Sequence, residues 1–158
     1  MSEALSARLK EQGIELPKVV PPVAAYTPAR KIGEGKIRTS GQLPMRDGSL
    51  VATGHVGEGE VAPEDAQEAA RTCAPNALAA AVAIAGSEDA ITGVEAVTAF
   101  VSSKPDLTDQ AQVANGASLF FGELFDEPHV RSAVGVAALP LGAPVEVEVV
   151  FTTKQHSR

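Results

Sequence analysis

The sequence has no tryptophan, one tyrosine and one cysteine, and only 4% of its residues are aromatic. A single cysteine excludes an intrachain disulfide. The longest basic run is the pair Arg30-Lys31, in a chain of net charge −7. Binding to a phosphate backbone needs clustered lysine and arginine, so nucleic acid is not an expected partner. The N-terminus has no apolar signal region, and no apolar run approaches the length of a membrane span. These absences favour a soluble, cytoplasmic protein that has no membrane partner.

Alanine, valine and glycine are abundant instead. Such small side chains predict a core of closely packed elements, to which oligomer contacts would add. Cys73 has Ala69, Ala70 and Ala77 at helical spacing around it. We therefore interpret Cys73 as a core residue rather than a nucleophile, as is usual for free cysteine. No spacing of histidine, cysteine and carboxylates indicates a metal site.

Hydrophobic periodicity and turn residues divide the chain into three parts. Residues 1–22 are predicted to form a short helix and an extended, proline-containing arm, residues 23–154 a single α+β domain, and residues 155–158 a tail. The predicted order within the domain is β-β-β-α-β-α-β-β. It indicates one sheet of about six strands with both helices on one face. The other face is left uncovered, and a second copy of the chain is the simplest candidate to cover it.

Particular boundaries follow from proline and glycine. Strands are predicted at residues 23–30, at 36–40 after the turn Gly33-Glu34-Gly35, and near 50–53. The long helix that begins at Pro63 contains Pro75, which is expected to kink it or to split it in two.

The block from Arg131 to Glu148 is predicted to form two strands joined by a short turn at residues 140–144. Alternation places Arg131 on one face with Ala133 and Gly135, whose small side chains are typical of close approach by another group. In the second strand Glu146 and Glu148 both point away from the valines, so alternation cannot choose between them. Either this is an ordinary solvated face or the charged groups serve chemistry.

Four segments of the chain together resemble the Rid/YjgF family of enamine/imine deaminases, formerly called L-PSP endoribonucleases. The resemblance runs in matching order from about residue 23 to residue 151. The segments are Val-Ala-Ala-Tyr26-Thr-Pro-Ala, Ser40-Gly41-Gln42-Leu43-Pro44, Arg131-Ser132, and Leu139-Pro140 followed by Val145-Glu146-Val147-Glu148.

The resemblance implies a chorismate-mutase-like α+β fold and a homotrimer with ligand clefts between subunits. It implies that Arg131 binds the carboxylate of a small imino acid in bidentate fashion, a task that suits guanidinium geometry. A water oriented by Glu146 would attack the imine carbon, and loss of ammonia would give the 2-oxo acid without a metal or organic cofactor. The residues assigned in this way are Glu146, Tyr26 and Ser40 as catalytic, and Arg131, Gly41 and Asn115 as substrate-binding.

The chain also departs from the family pattern. Ala133 and Gly135 stand where many deaminating members have cysteine and glutamate, and Asn115 is one position out of register with the family's asparagine. We therefore expect a divergent subgroup. Two alternatives to the hydrolase remain, namely a non-catalytic trimeric binder of small carboxylates or 2-oxo acids, and the ribonuclease of the older family label. The roles of His129 and of the loop Gly54–Gly59 stay open.

Overall fold

A computed structural model describes residues 3–22 and 25–154. The helices are α1 (Leu5–Glu11), α2 (Pro63–Ala85) and α3 (Gln110–Leu124). Among the described residues, four strands precede α2, where three were predicted, and three follow it. The strands are β1 (Ala29–Gly33), β2 (Lys36–Thr39), β3 (Met45–Arg46), β4 (Ser49–Leu50), β5 (Ile91–Ser102), β6 (Val130–Val136) and β7 (Val145–Thr153).

The main sheet has five strands in the order β1-β2-β7-β5-β6. The pair β5–β6 is parallel, because α3 connects the two strands in a crossover, and the other pairs are antiparallel. The mixed α+β fold is confirmed, but the sheet has five strands rather than about six. The segment expected near residues 50–53 forms the short strand β4, which pairs only with β3 in a separate hairpin.

Both α2 and α3 pack on one face of the sheet, as predicted. Alternate residues of β5 and β7 point into this core, and the ring of Phe121 on α3 lies 5.7 Å from that of Phe151 on β7. The residues between them form the opposite face, which no described helix covers. The core residues of the two central strands are Val97, Ala99, Val101, Val145, Val147, Val149 and Phe151, each no more than 1% exposed.

The last two strands do not pair with each other. β5 lies between them, with β6 at the edge of the sheet and β7 in its interior. The connection passes over the end of β5, where the Ser102 N–H donates to the Pro144 carbonyl at 2.9 Å. The expectation of a simple hairpin between Arg131 and Glu148 is therefore wrong, although the alternation of faces within each strand holds.

Two local expectations also need correction. The helix α2 runs unbroken through Pro75. Its packing against β2, β7 and α3 along most of its length outweighs the roughly 3 kcal/mol that an internal proline costs. The first strand begins at Ala29, and residues 25–28 of the predicted strand are not part of it, since Pro28 has no N–H to donate to a neighbouring strand. Residues 23 and 24 lie outside the described residues.

The N-terminal helix α1 is attached to the domain. Leu5 and Leu9 are buried in the main core, and the Ser6 N–H donates to Asp89 at 2.9 Å. The arm that follows extends to Pro22, and the tail predicted at residues 155–158 lies outside the described residues. No helix in the described part of the chain is both long and apolar enough to cross a bilayer.

Candidate functional site

Arg131 lies on the edge strand β6 and points toward α3. Its Nη1 donates to Asn115 Oδ1 at 2.7 Å and to Ser118 Oγ at 3.2 Å. Asn115 and Ser118 are neighbours on α3, three residues apart along the helix. The guanidinium is thus held by neutral groups at an exposed position and remains charged and accessible.

His129 joins this group from the turn before β6. Its Nε2 lies 2.9 Å from Ser118 Oγ, and its ring packs edge-on against Phe121. The pKa of His129 is lowered, mainly because burial disfavours the charged ring and also because Arg131 is cationic. We call Arg131, Asn115, Ser118 and His129 the Arg131 cluster. A cavity of about 270 Å³ opens beside it, with Phe121 and Phe125 in its wall.

Glu146 lies on β7, on the uncovered face of the sheet. Its side chain packs directly on Gly41, where a Cβ would lie 2.5 Å from Glu146 Cδ and 2.8 Å from Oε1. The next residue, Gln42, fixes this contact by exchanging backbone hydrogen bonds with Val147 at 2.8 and 3.0 Å. A side chain at position 41 would therefore displace the carboxyl group from this position.

Ser40 and Tyr26 lie in the segments beside this contact. The Ser40 hydroxyl donates to the Thr27 carbonyl at 2.6 Å, and the Ser40 N–H donates to the Pro28 carbonyl at 2.7 Å. Since its proton is used in this way, the Ser40 oxygen is left to accept a hydrogen bond from a ligand. Tyr26 precedes Thr27, and its ring is 47% exposed rather than buried in the core. We call Glu146, Gly41, Ser40 and Tyr26 the Glu146 cluster.

The two glutamates of β7 have different environments. Arg38 on β2 donates to Glu148 at 3.4 Å, whereas Glu146 is half-buried against Gly41. The pKa of Glu146 is raised, first because burial removes water from the carboxyl and second because Glu148 is negatively charged. Of the two, Glu146 is the better candidate for a general base, since it forms no ion pair with a described residue and its carboxyl lies against Gly41.

The two clusters do not meet within one chain. Arg131 is in register with Val97 of β5 and Glu146 with Phe100, on the other side of the same strand. The two residues are therefore separated by about 10 Å across the sheet and about 10 Å along it. They also point to opposite faces. The structure thus brings Arg131 together with Asn115, and Glu146 together with Gly41, which Ser40 precedes along the chain.

Comparison with known proteins shows the family of this chain. The sequence matches the family described as Endoribonuclease L-PSP over residues 16–152. The chain belongs to this family, also known as YjgF/Rid. The family resemblance read from the sequence is confirmed.

Three similar proteins illustrate the relationship of the chain to the YjgF/Rid family. It is 39% identical over 150 residues to Protein TCP17 of Trypanosoma cruzi, covering 93% of this chain and 92% of that protein. It is 38% identical to Atu1372 of Agrobacterium tumefaciens, a protein of unknown function, with a TM-score of 0.81 and coverage of 95% and 92%. For TdcF of E. coli, solved with bound serine, the identity is 28%, the TM-score 0.60 and the coverage 87% and 93%.

Of the positions that depart from the expected pattern, Asn115 lies on α3 beside Arg131, Ala133 lies in the middle of β6 and Gly135 lies near its end. A Cβ on Gly135 would lie 2.9 Å from Gln110 Nε2, so the edge is closely covered there. His55 in the glycine-rich loop lies with its Nε2 2.8 Å from the Ala137 carbonyl. This contact anchors the loop to the end of the strand and gives His55 a structural role.

Other parts of the described chain carry none of the predicted site residues. A cavity of about 900 Å³ lies between the N-terminal arm, the β3–β4 turn and α2.

Cys73 is fully buried, and burial raises the pKa of its thiol, as expected for a core residue. Among residues 3–22 and 25–154, no three histidine, cysteine or acidic side chains converge as metal ligands.

Sequence reasoning missed Ser118. The family resemblance assigns Asn115 on this helix but not Ser118. The available signal was the spacing of Asn115 and Ser118, which places both side chains on one face of the helix.

Proposed function

We propose that this protein is a hydrolase that converts small 2-imino or 2-enamino acids into 2-oxo acids and ammonia. The observation that carries the proposal is the Arg131 guanidinium, fixed by Asn115 and Ser118 at an exposed edge with its remaining N–H groups free. An arginine in this state suits a carboxylate better than any other side chain does. Family membership and the serine bound to TdcF support a small amino-acid-like ligand.

The active site is formed between two copies of the chain in a homotrimer. Within one copy the two clusters lie on opposite faces, so a single subunit cannot bring both to one ligand. One subunit supplies Arg131 and Asn115, and its neighbour supplies Glu146, Gly41, Ser40 and Tyr26. The uncovered sheet face, which carries Glu146, becomes part of the subunit interface.

The reaction follows from these positions. Arg131 binds the carboxylate, and Glu146 accepts a proton from water as the water oxygen attacks the C=N carbon. The nitrogen takes up the proton that Glu146 received, and the new hydroxyl then gives up its own proton to the nitrogen as the C–N bond breaks, which releases ammonia and leaves the 2-oxo acid. The raised pKa of Glu146 makes it a stronger base than a fully solvated carboxylate. The imine carbon is already electrophilic, so the chemistry needs no cofactor.

A test measures release of ammonia and 2-oxo acid from 2-aminoacrylate generated in situ from serine by a dehydratase. We expect the wild type to accelerate release, and Arg131→Ala to reduce kcat/KM about 100-fold, since hydrogen bonds between charged groups are among the strongest. Arg30→Ala, which changes an exposed arginine of β1, is the matched control. A trimeric wild type whose rate equals the uncatalysed rate would contradict the proposal.

A non-catalytic binder of small carboxylates is the second candidate. It is favoured by one observation, that the Arg131 cluster is complete within a single chain and does not include Glu146. Binding of 2-oxobutanoate by both wild type and Glu146→Gln, with turnover by neither, would support it. RNA cleavage that survives purification and disappears in Arg131→Ala would instead favour a ribonuclease.

A further inference from the structure

The hydrogen bonds of Arg131 are unevenly distributed over its guanidinium. Nη1 carries two N–H groups, and these point to Asn115 Oδ1 at 2.7 Å and Ser118 Oγ at 3.2 Å. No described residue bonds to Nε or Nη2. A carboxylate can be bound in bidentate fashion either end-on by Nη1 and Nη2 or side-on by Nε and Nη2. With Nη1 saturated by the protein, only the side-on edge remains.

Ser118 connects Arg131 to His129, because its hydroxyl contacts both side chains. Its oxygen accepts from Arg131, and the same oxygen lies 2.9 Å from Nε2 of His129. The serine oxygen has two lone pairs and one proton, so it accepts from Arg131 both when a neutral imidazole takes its proton at Nε2 and when a protonated imidazole donates to it. The edge-on packing against Phe121, with ring centroids 6.4 Å apart, holds the imidazole in place.

We propose that Ser118 and His129 are positioning residues that fix the Arg131 guanidinium for side-on binding of a substrate carboxylate through Nε and Nη2. This inference rests on the proposed function, since it assigns Arg131 to a carboxylate. It adds two residues and a binding geometry to that function. Neither residue touches the ligand, and both act through Arg131.

The charged groups around His129 make its pKa a measurable test of the proposal. Arg131 on β6 is the cation that faces His129. Asp126 and Glu127, in the turn after α3, line the same cavity. The helix α3 and the strand β5 contribute only uncharged residues to the cavity, namely Ser118, Phe121 and Val94. A carboxylate bound to Arg131 offsets part of the guanidinium charge, so the pKa of His129 rises when the ligand binds. By linkage, affinity then increases as the pH falls through that pKa.

The main experiment compares Ser118→Ala with the hydroxyl-retaining Ser118→Thr. We expect Ser118→Ala to raise both the Kd for 2-oxobutanoate and the KM about tenfold, the loss of roughly one charged hydrogen bond. The value of kcat stays within about twofold, because the lost contact affects bound substrate and transition state alike. Ser118→Thr retains wild-type Kd and KM. The second measurement follows the His129 ring by NMR during a pH titration with and without 2-oxobutanoate.

The outcomes separate this inference from the proposed function. If the wild type neither binds 2-oxobutanoate nor turns over 2-aminoacrylate, the proposed function fails. If Arg131→Ala abolishes binding but folded Ser118→Ala binds like the wild type, only the positioning role is overturned. A loss of affinity in Ser118→Thr equal to that in Ser118→Ala would also count against the positioning role. A His129 pKa that does not change on ligand binding would count against it as well.

Discussion

The Arg131 cluster and the Glu146 cluster use opposite means to present a charge. The guanidinium is held by neutral hydrogen-bonding partners at an exposed strand edge, whereas the carboxyl group of Glu146 is half-buried against a glycine. Neither forms a salt bridge with another described residue. A cation stabilised in this way is suited to binding an anion. A carboxylate with a raised pKa is suited to moving a proton.

The largest expected effect tests whether the two clusters cooperate across subunits. Arg131→Ala and Glu146→Gln are each expected to lose most of their activity alone. Co-expressed and purified as mixed trimers, they should recover about a third of wild-type turnover, because one of the three head-to-tail interfaces in each hybrid joins an intact Arg131 to an intact Glu146. The measurement is ammonia release by hybrids separated with two affinity tags.

A double variant carrying both changes in one chain, mixed with wild type, is the control for subunit exchange. If the hybrids of the single variants stay at background while exchange is demonstrated, the two clusters do not share a site.

The next effect concerns the contact between Gly41 and Glu146. Gly41→Ala places a methyl group within the space of the carboxyl and displaces it, so kcat should fall about 100-fold, as small misplacements of catalytic groups do. Binding of 2-oxobutanoate should change little. Gly33→Ala is the matched control, since a Cβ there meets nothing within 4 Å. Steady-state kinetics and thermal unfolding together separate displacement from loss of fold, and unchanged kcat would break the assignment of Glu146.

The smallest effect concerns the pH dependence of the Glu146 cluster. Glu146 acts as a base only when ionised, so turnover falls as the pH drops through its raised pKa. Glu148→Gln removes the like charge that is the second cause of the raised pKa, so the acid limb of kcat should move to lower pH. Burial, the larger cause, remains, so the shift is modest. Glu34→Gln in the β1–β2 turn is the control. A shift of the acid limb of kcat to higher pH in Glu148→Gln would contradict the assignment of Glu146 as the base.

Period-two alternation was sufficient to predict which residues of each strand share a face. It placed Val145, Val147 and Val149 in the core and Glu146 opposite them, and it placed Arg131 with Ala133 and Gly135. These predictions succeeded because the side-chain direction of a strand is a local property. The positions of α2 and α3 followed in the same way from the spacing of their apolar residues.

The order of strands in the sheet was not a local property and was not predicted. A short proline- and glycine-containing connection between β6 and β7 is typical of a hairpin, yet β5 lies between them because its 12 residues pair with both. The alternation of residues within a strand does not determine which strands are neighbours in the sheet. The separation of Arg131 from Glu146, and with it the need for a second subunit in the proposed site, emerged only from the topology.

The contact between Gly41 and Glu146 also bears on how relatives of this protein can diverge. Any side chain at position 41 occupies the volume of the carboxyl group at position 146, so a lineage cannot gain one and keep the other in place. The two positions, more than one hundred residues apart, are therefore expected to change together. A relative that has a larger residue at the first and a shorter or uncharged one at the second has given up this base, whatever it retains at the arginine.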